Sequence, residues 1–499
     1  MIGLLPAAGR GVRAYPYTAT VPKSMLEVDG VPNLERNILL LRDQLACQQI
    51  RVVIGHHGDV IRAHFGDGSR LGVAITYIEN DRLDWELPYS VYLGTRDLSA
   101  PCCMLLADEC YIGSNHRDLL RLAEAPALAV CGLIRGEYAK QVRKNYVVTL
   151  RDGQIVDLEE KPRVVRDRLM GAGTYLLQPE AMRRLADAFA AGDAARPRDW
   201  TTWLADLARG GGRLLPFHLT GKYVNINSRD DLNYANYLVR DADFSRRTTS
   251  LVYVVDGEDE AALRPLPEYA AVPEVDEVVA VARRQTPALE QAATLPKVRV
   301  FTPPDARATV GDLLRLGCDR AAGDILICSY SDDTFAARDV AKFRQYLRDA
   351  DMVMGTRTTR QLIEQGTNMR GVVRASHVAL AKLMELVWWR FEYRFSDVCC
   401  VYRALWRSTY RTIRPQLVAA DAAIFPEMVL EVLRARRRIV EIPINYYNRD
   451  MHSDYVRSEY QSVGTFLRVV GLILRKRAED LGWVGAAGAG ATSAAEAPQ

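Results

Sequence analysis

Short apolar runs alternate with amphipathic stretches through the first quarter of the chain. "MIGLLPAAG", "IRVVIGHH", "VAITYIEN" and "PCCMLLADECYI" read as strands, while "LERNILLLRDQLA" has the spacing of a helix packed by one face. Strands that are apolar throughout are covered on both sides, so the pattern predicts a parallel, doubly wound sheet with helices on each face. Around residues 240–250 the text turns polar and aperiodic, "RDADFSRRTTS", and a new strand, "LVYVVDGEDE", begins at Leu251. The alternation then repeats in "VDEVVAVA", "KVRVFTPP", "TVGDLLRLGCDRAA", "GDILICSYSDD" and "ADMVMGTR". Two α/β units in tandem follow, with domains expected over 1–243 and 250–480 and a low-complexity, disordered tail over 481–499. "HVALAKLMELVWWRFEYRF" (His377 to Phe395) reads as one long buried helix.

Composition narrows the class. The 499 residues carry a formal net charge of +3, too little to imply a nucleic-acid partner, and the basic run "RARRR" suits a solvated helix end. Nine cysteines show no CxxC spacing and seven histidines no metal-ligand pattern, so buried thiols in a reducing cytoplasm are expected. The N-terminus lacks the basic region and apolar core of a signal peptide, and no stretch reaches the roughly 18 apolar residues of a membrane span. "TFLRVVGLILRKR" reads as an amphipathic helix with a basic end; packing onto its domain is expected, and peripheral membrane contact stays open.

The chemistry begins in "LPAAGRGVRAYPYTATVPKSML", Leu5 to Leu26. A nucleoside triphosphate needs close backbone approach, fixed cations and a metal ion. Ala7, Ala8, Gly9 and Gly11 let backbone amides approach base, sugar and phosphates; Leu5 and, further on, Ser90 join the nucleotide-binding set. Arg13 is a permanent cation, and Lys23 is aimed by the rigid Pro22. Asp108 directly follows an apolar run, at the strand end where open α/β sheets bind ligands, which suits a Mg²⁺ ligand as well as a helix cap. Trp85, Tyr89 and Tyr175 are three aromatics that suit either the core or a wall against a cationic group.

Over its first roughly 240 residues the chain resembles the nucleotidyltransferases that join an NTP to a phosphorylated sugar or alcohol and release pyrophosphate. "LPAAGRGVR", "PKSMLEVDGVPNLERNILLL", "LADE", "LEEKP", "GAGTYLL" and "VNINSRDDL" stand in that family's order, and "GVPNLERNILLL" is nearest its phosphocholine and phosphonate cytidylyltransferase branch. The resemblance implies that Arg13 and Lys23 handle the triphosphate, that Asp108 holds Mg²⁺ (or Mn²⁺), and that Lys161 meets the acceptor phosphate. It places a second metal ligand at Asn225, where Asp is often found, and favours CTP. "WELPYSVYL" departs from that branch: Leu87 and Pro88 stand where paired asparagines are usual.

Residues 250–460 resemble the family 2 glycosyltransferases of inverting GT-A type, nearest the polyprenyl-phosphate sugar transferases. "SYSDD", "MGTR", "FSDVCCVYRALWRS" and "FPEMVLEVLRARRRIVEIPINYYNRDMHS" carry the likeness. It implies metal binding at Asp332 and Asp333, with Tyr330 at the place of the family's first Asp. Asp397 and Arg403 would serve an acceptor loop, and Arg449 would close over a diphosphate with Ser453. The usual "VDDGSxD" segment is replaced by "VDGEDE" with an acidic cluster at Glu258, Asp259 and Glu260. The implied fold is two tandem Rossmann-like GT-A-type domains, each with a mostly parallel central sheet flanked by helices. The implied function is bifunctional: nucleotidyl transfer from CTP or another NTP to a phosphorylated alcohol, phosphonate or sugar, then group transfer from a nucleotide-activated donor. A homo-oligomer is expected. The alternative is a nucleotidyltransferase whose second domain is only an interaction or dimerisation scaffold.

Overall fold

A computed structural model describes residues 1–193, 196–256, 260–331, 334–364, 367, 369, 371–388, 393–447 and 463–483. Asp332, Asp333, Arg449, Ser453, Glu258 and Asp259 lie outside the described residues, as does nearly all of the 481–499 segment. The chain divides into two compact units, Met1–Ala242 and Asp243–Gln499.

The first unit is built on a nine-stranded sheet. Its order across the sheet is Ala74–Glu79, Gln49–Ile54, Ile2–Pro6, Cys102–Leu105, Leu169–Leu177, Ala129–Arg135, Leu214–His218, Gln154–Glu160 and Tyr146–Arg151. The first four are parallel, Leu169–Leu177 runs against both neighbours, and Gln154–Glu160 and Tyr146–Arg151 form an antiparallel hairpin at the edge. Ile2–Pro6 lies inside the sheet, with Leu4 and Leu5 fully buried. Both neighbouring strands supply its backbone partners. The helix Asn33–Leu45 buries Leu34, Ile38, Leu41 and Leu45, the repeat expected of a helix covering a sheet.

The second unit has a seven-stranded sheet in the order Val298–Phe301, Glu277–Ala282, Thr249–Val255, Ile325–Tyr330, Arg403–Trp406, Met352–Thr356 and Ile439–Pro443. All seven residues of Thr249–Val255 are buried, as a fully covered central strand requires. If the edge hairpin of the first unit is set aside, both units share one plan. Their strands, counted in chain order, lie 3-2-1-4-6-5-7, with the sixth antiparallel to the fourth and fifth. Each unit is thus α/β with a parallel-rich sheet, and each has a crevice position where connections diverge from the first strand.

Several expectations change in the second unit. The expected helix His377–Phe395 runs instead over Gly371–Val387. Arg403 does not face an acceptor: it is fully buried, and donates to the carbonyls of Phe425, at 2.5 Å, and Cys400. Asp397 is likewise interior, at 0% exposure, held by Arg357 at 2.7 Å and 2.9 Å and by His377 at 3.1 Å. Burial opposes its charge, but Arg357 and His377 outweigh that and keep the carboxyl well below the usual carboxylate range. Both residues stabilise the interior rather than line a surface. Tyr330 is buried too, its hydroxyl donating to Asp256 at 2.5 Å.

Removing the carboxylate at Asp397 leaves Arg357 without its buried counter-charge, and truncating one partner of such a pair costs about 3–5 kcal/mol. Asp397→Ala is expected to lower the second unit's unfolding free energy by that amount, read as a drop in its urea midpoint at unchanged slope, with the first unit's transition unmoved.

Candidate functional site

Loops at the carboxyl ends of the parallel strands enclose a cavity of about 580 Å³ in the first unit. One wall is the stretch after Ile2–Pro6: Ala7, Ala8, Gly9, Gly11 and Arg13 all line it. Gly9 has open space where a Cβ would stand, so its backbone is free to meet a ligand. Gly11 has φ +62°, and a Cβ there would press on Thr18 and Lys23, so the turn and the lysine pack together. The Thr18 hydroxyl closes the loop by donating to the Gly11 carbonyl at 3.0 Å.

Lys23 follows Pro22 into a single 3₁₀ turn and brings its ammonium against Asp108, donating also to Asn227 Oδ1 at 2.8 Å. The Asn227 amide in turn donates to Asn225 Oδ1 at 2.6 Å. Lys23, Asp108, Asn225 and Asn227, distant in sequence, thus form one polar cluster lining the cavity.

The segment around Asp108 is clamped from behind. Asn33 and Asn37, one turn apart in "NLERN", are almost fully buried. Asn33 donates to the carbonyls of Ala107 and Glu109 at 3.0 Å and 2.9 Å, and Asn37 donates to Glu109 at 3.0 Å. On the other side the Ile226 N–H donates to the Asp108 carbonyl at 2.9 Å, continuing the pairing of Glu109 with Asn225. The next residue, Glu109, is 1% exposed and accepts from the Tyr111 hydroxyl at 2.5 Å, the Tyr223 hydroxyl at 2.6 Å and the Gly173 N–H at 2.6 Å. Burial, reinforced by the neighbouring charge of Asp108, pushes its carboxyl up to about 7 against those three donors. Thr174 extends the network to His116, which burial pushes down to about 4.

A second wall comes from Lys144, Asn145 and Tyr146, from Glu160 and Lys161 at the end of the next strand, and from Tyr175, Asp199, Trp200 and Thr201. Lys161 adopts φ +49°, its N–H held by the Asn145 carbonyl at 2.7 Å and its ammonium against Glu160. Asp199 caps the helix Trp200–Arg209, accepting from the N–H groups of Thr201 and Thr202 at 2.9 Å and 3.1 Å. Ser90 lines the third wall beside Leu83 and Leu87, accepting from Asn80 Nδ2 at 2.9 Å.

Three expectations are corrected by this geometry. Leu5 is core, fully buried in its strand, and the lining begins at Pro6. Trp85 and Tyr89 do not join Tyr175 in a wall: they pack on Phe189, at 6.1 Å and 5.6 Å between ring centroids, away from the lining. Tyr175 does line the cavity, packed edge-on against Trp200 at 5.6 Å and stacked on Tyr146 at 6.4 Å. Tyr146, Trp200 and Asn227 are lining residues that periodicity did not single out. Trp200 had a local signal in its Asp199 cap, but nothing in the sequence told which helix end faces the cavity.

Among the described residues there is no group of three His, Cys, Asp or Glu side chains able to hold a metal by protein ligands alone. Asp108 and Asn225 instead offer one carboxylate and one amide oxygen on paired strands. That set suits a hard cation completed by phosphate oxygens and water, as Mg²⁺ commonly is. All nine cysteines are buried with free thiols, and among the described residues no helix is long and apolar enough to cross a membrane.

Glu109 and His116 make opposite contributions to stability with pH. A carboxyl raised from 4.5 to about 7 binds a proton in the folded state that the unfolded chain has lost, so its contribution falls as pH rises between those values. A histidine lowered from 6.5 to about 4 does the reverse, and its contribution is lost as pH drops through that window. Glu109→Gln is therefore expected to gain stability relative to wild type between pH 4.5 and pH 7, measured by urea unfolding in EDTA. A constant difference across that range would show that Glu109 is not the titrating group.

Residues 2–223 match the family model described as nucleotidyl transferase. Over 179 residues the chain is 29% identical to a UTP–glucose-1-phosphate uridylyltransferase of Haloferax volcanii, covering 36% of this chain and 72% of that protein. Over 184 residues it is 28% identical to a glucose-1-phosphate thymidylyltransferase of Xanthomonas campestris pv. campestris, covering 36% of this chain and 60% of that one. A solved structure of UDP-glucose pyrophosphorylase complexed with UDP-glucose aligns at 20% identity and TM-score 0.42, over 49% of this chain and 99% of that chain. By the family match, in a segment that contains the glycine loop, Lys23, Asp108 and Lys161, the N-terminal part of this protein carries a nucleotidyl transferase domain.

Proposed function

We propose that the first unit transfers a nucleotidyl group from a pyrimidine nucleoside triphosphate to a sugar 1-phosphate, releasing pyrophosphate. The observation that carries this is the convergence of the Gly9–Arg13 loop, Lys23, Asp108, Asn225 and Lys161 on one cavity. The relatives' names, uridylyl- and thymidylyltransferases of glucose 1-phosphate, support the sugar acceptor and the pyrimidine. CTP, favoured by the wording "GVPNLERNILLL", is the third pyrimidine to be tested.

In this scheme the acceptor phosphate oxygen attacks the α-phosphorus in line, and the bond to the pyrophosphate oxygen breaks. A phosphate dianion is already a competent nucleophile, so the protein's contribution is placement and charge neutralisation. Lys161 holds the acceptor phosphate; Arg13 and Lys23 neutralise the departing pyrophosphate; the glycine loop admits the nucleotide backbone to backbone. Asp108 and Asn225 would hold Mg²⁺ or Mn²⁺, which supplies further neutralisation at the triphosphate when bound. A cytoplasmic setting is supported by nine reduced, buried thiols, and a homo-oligomer is part of the proposal.

For the second unit we propose group transfer from a nucleotide-activated donor at Asp332 and Asp333, with Arg449 at the diphosphate. Its strand order, shared with the first unit, supports the placement of such a crevice at the end of Ile325–Tyr330. A scaffold role is the second reading, favoured by the burial of Asp397 and Arg403, which removes two groups from any acceptor loop.

Asp108→Ala is expected to lower kcat/KM for pyrophosphate release by at least about 100-fold, measured with CTP, UTP and dTTP against glucose 1-phosphate and phosphocholine. Lys161→Ala should raise the acceptor KM by about 10- to 100-fold with the NTP KM unchanged, the effect of one charge-assisted contact. For the second unit, equal nucleotide-sugar turnover by wild type and Asp332→Ala would leave only the scaffold role.

A further inference from the structure

The helix Val463–Asp480 of the second unit carries apolar residues on two opposite faces. Its inner face, Val469, Leu472 and Ile473, is buried in the unit's core. Lys476, also buried, fixes that orientation: it donates to the Gln416 carbonyl at 3.0 Å and pairs with Glu431 at 2.7 Å and Glu427 at 3.2 Å. Breaking such a buried pair is costly, so the helix does not roll over. Val463, Leu467, Leu474 and Leu481 recur at helical spacing on the outer face, and all four are exposed. At Gly482, φ +72°, the helix closes, with the Gly482 and Trp483 N–H groups donating to the carbonyls of Glu479 and Ala478 at 3.0 Å and 2.9 Å. Trp483 is thereby held at the end of the same helix, yet is 77% exposed.

The helix Gly371–Val387 packs beside it and buries Leu380, Ala381 and Met384 in the same core. Its exposed positions Val372, Ala375, Ala379 and Leu386 again share one outer face. Single exposed apolar residues need no explanation. A strip running along two packed helices that bury their other faces in one core marks a binding surface.

The charges around the strip select its occupant. Arg468 and Arg475 directly follow Leu467 and Leu474, about 100° round the helix, and Arg477 flanks the leucines on the other side. Lys382 stands between Ala379 and Leu386. The acids of both helices are withdrawn: Glu385 and Glu479 are almost buried, and Asp480 is held by Arg434 at 2.8 Å. Asp421 pairs with Arg468 at 2.9 Å. Basic side chains bordering an apolar strip lay their stems on the acyl boundary and reach anionic headgroups with their charges. A second copy seated on the same face would bring like charges together. Among the described residues no helix is long and apolar enough to cross a membrane, so these two would lie on the surface.

We infer that the helices Gly371–Val387 and Val463–Asp480 dock the second unit on an anionic lipid surface, with Leu467, Leu474 and Trp483 entering the headgroup boundary. The inference stands apart from the chemistry proposed for either unit, since its readout is binding and not turnover.

The full chain is mixed with vesicles of phosphatidylglycerol and phosphatidylcholine, or of phosphatidylcholine alone, and bound protein is measured by co-sedimentation. Wild type should sediment with the mixed vesicles, at least about 10-fold more weakly with the neutral ones, and less as salt rises. Leu467 and Leu474 are 61% and 52% exposed, so together they offer about one leucine side chain, and Leu467→Ser/Leu474→Ser should weaken binding about 10-fold. Arg475→Gln/Arg477→Gln should erase the preference for anionic vesicles, and it tests the surface even where the serine variant folds poorly. Failure of wild type to sediment with mixed vesicles, or equal binding by both variants and wild type, overturns the inference. So does a dimer, seen by sedimentation velocity, that binds no vesicles and is dissociated by the serine variant, because a second copy then covers the strip.

Discussion

Asp108 stands where four separated parts of the first unit are tied to one short turn. Asn33 and Asn37 hold the carbonyls on either side of it, Ile226 holds its own carbonyl, and Glu109 binds the Gly173 N–H and two tyrosine hydroxyls. Each contact pairs a polar group that the fold takes from water, and leaving one unpaired costs about 1–3 kcal/mol. The carboxylate that meets Lys23 is therefore delivered by a backbone with little freedom to move. Preorganisation of this kind is what a phosphoryl-transfer site requires, since it does little covalent chemistry of its own.

The same clamp accounts for a buried carboxyl in an unfavourable place. Glu109 sits next to Asp108 and away from water, and both effects penalise its charge. It is retained as the common acceptor for three donors drawn from three segments, so it fixes the strand pair beside which Asp108 stands. His116, neutral and buried at the far end of the network, completes the chain of donors and acceptors.

The two units show how far a strand order can carry function and where it stops. With the first sheet's edge hairpin set aside, both sheets run 3-2-1-4-6-5-7, and both place a loop after the first and fourth strands. In the first unit those loops carry glycines, Lys23 and Asp108 around a cavity. In the second, the residues chosen from sequence behave differently: Asp397 neutralises Arg357 inside the core, and Arg403 saturates carbonyls of the turns around it. Charged residues in a motif-like order were legible in both units, but only burial separates a charge that serves the fold from one that can meet a ligand.

Sequence alone determined the α/β alternation, the break near residue 243, and the chain order of the glycine loop, Lys23, Asp108 and Lys161, because apolar periodicity and local turn chemistry are short-range properties. Tertiary structure alone decided that Leu5, Asp397 and Arg403 are interior, that Trp85 and Tyr89 pack on Phe189, and that Trp200 lines the cavity. Those facts depend on which helix end and which strand face come together across tens of residues of chain or more, and no local pattern encodes that meeting.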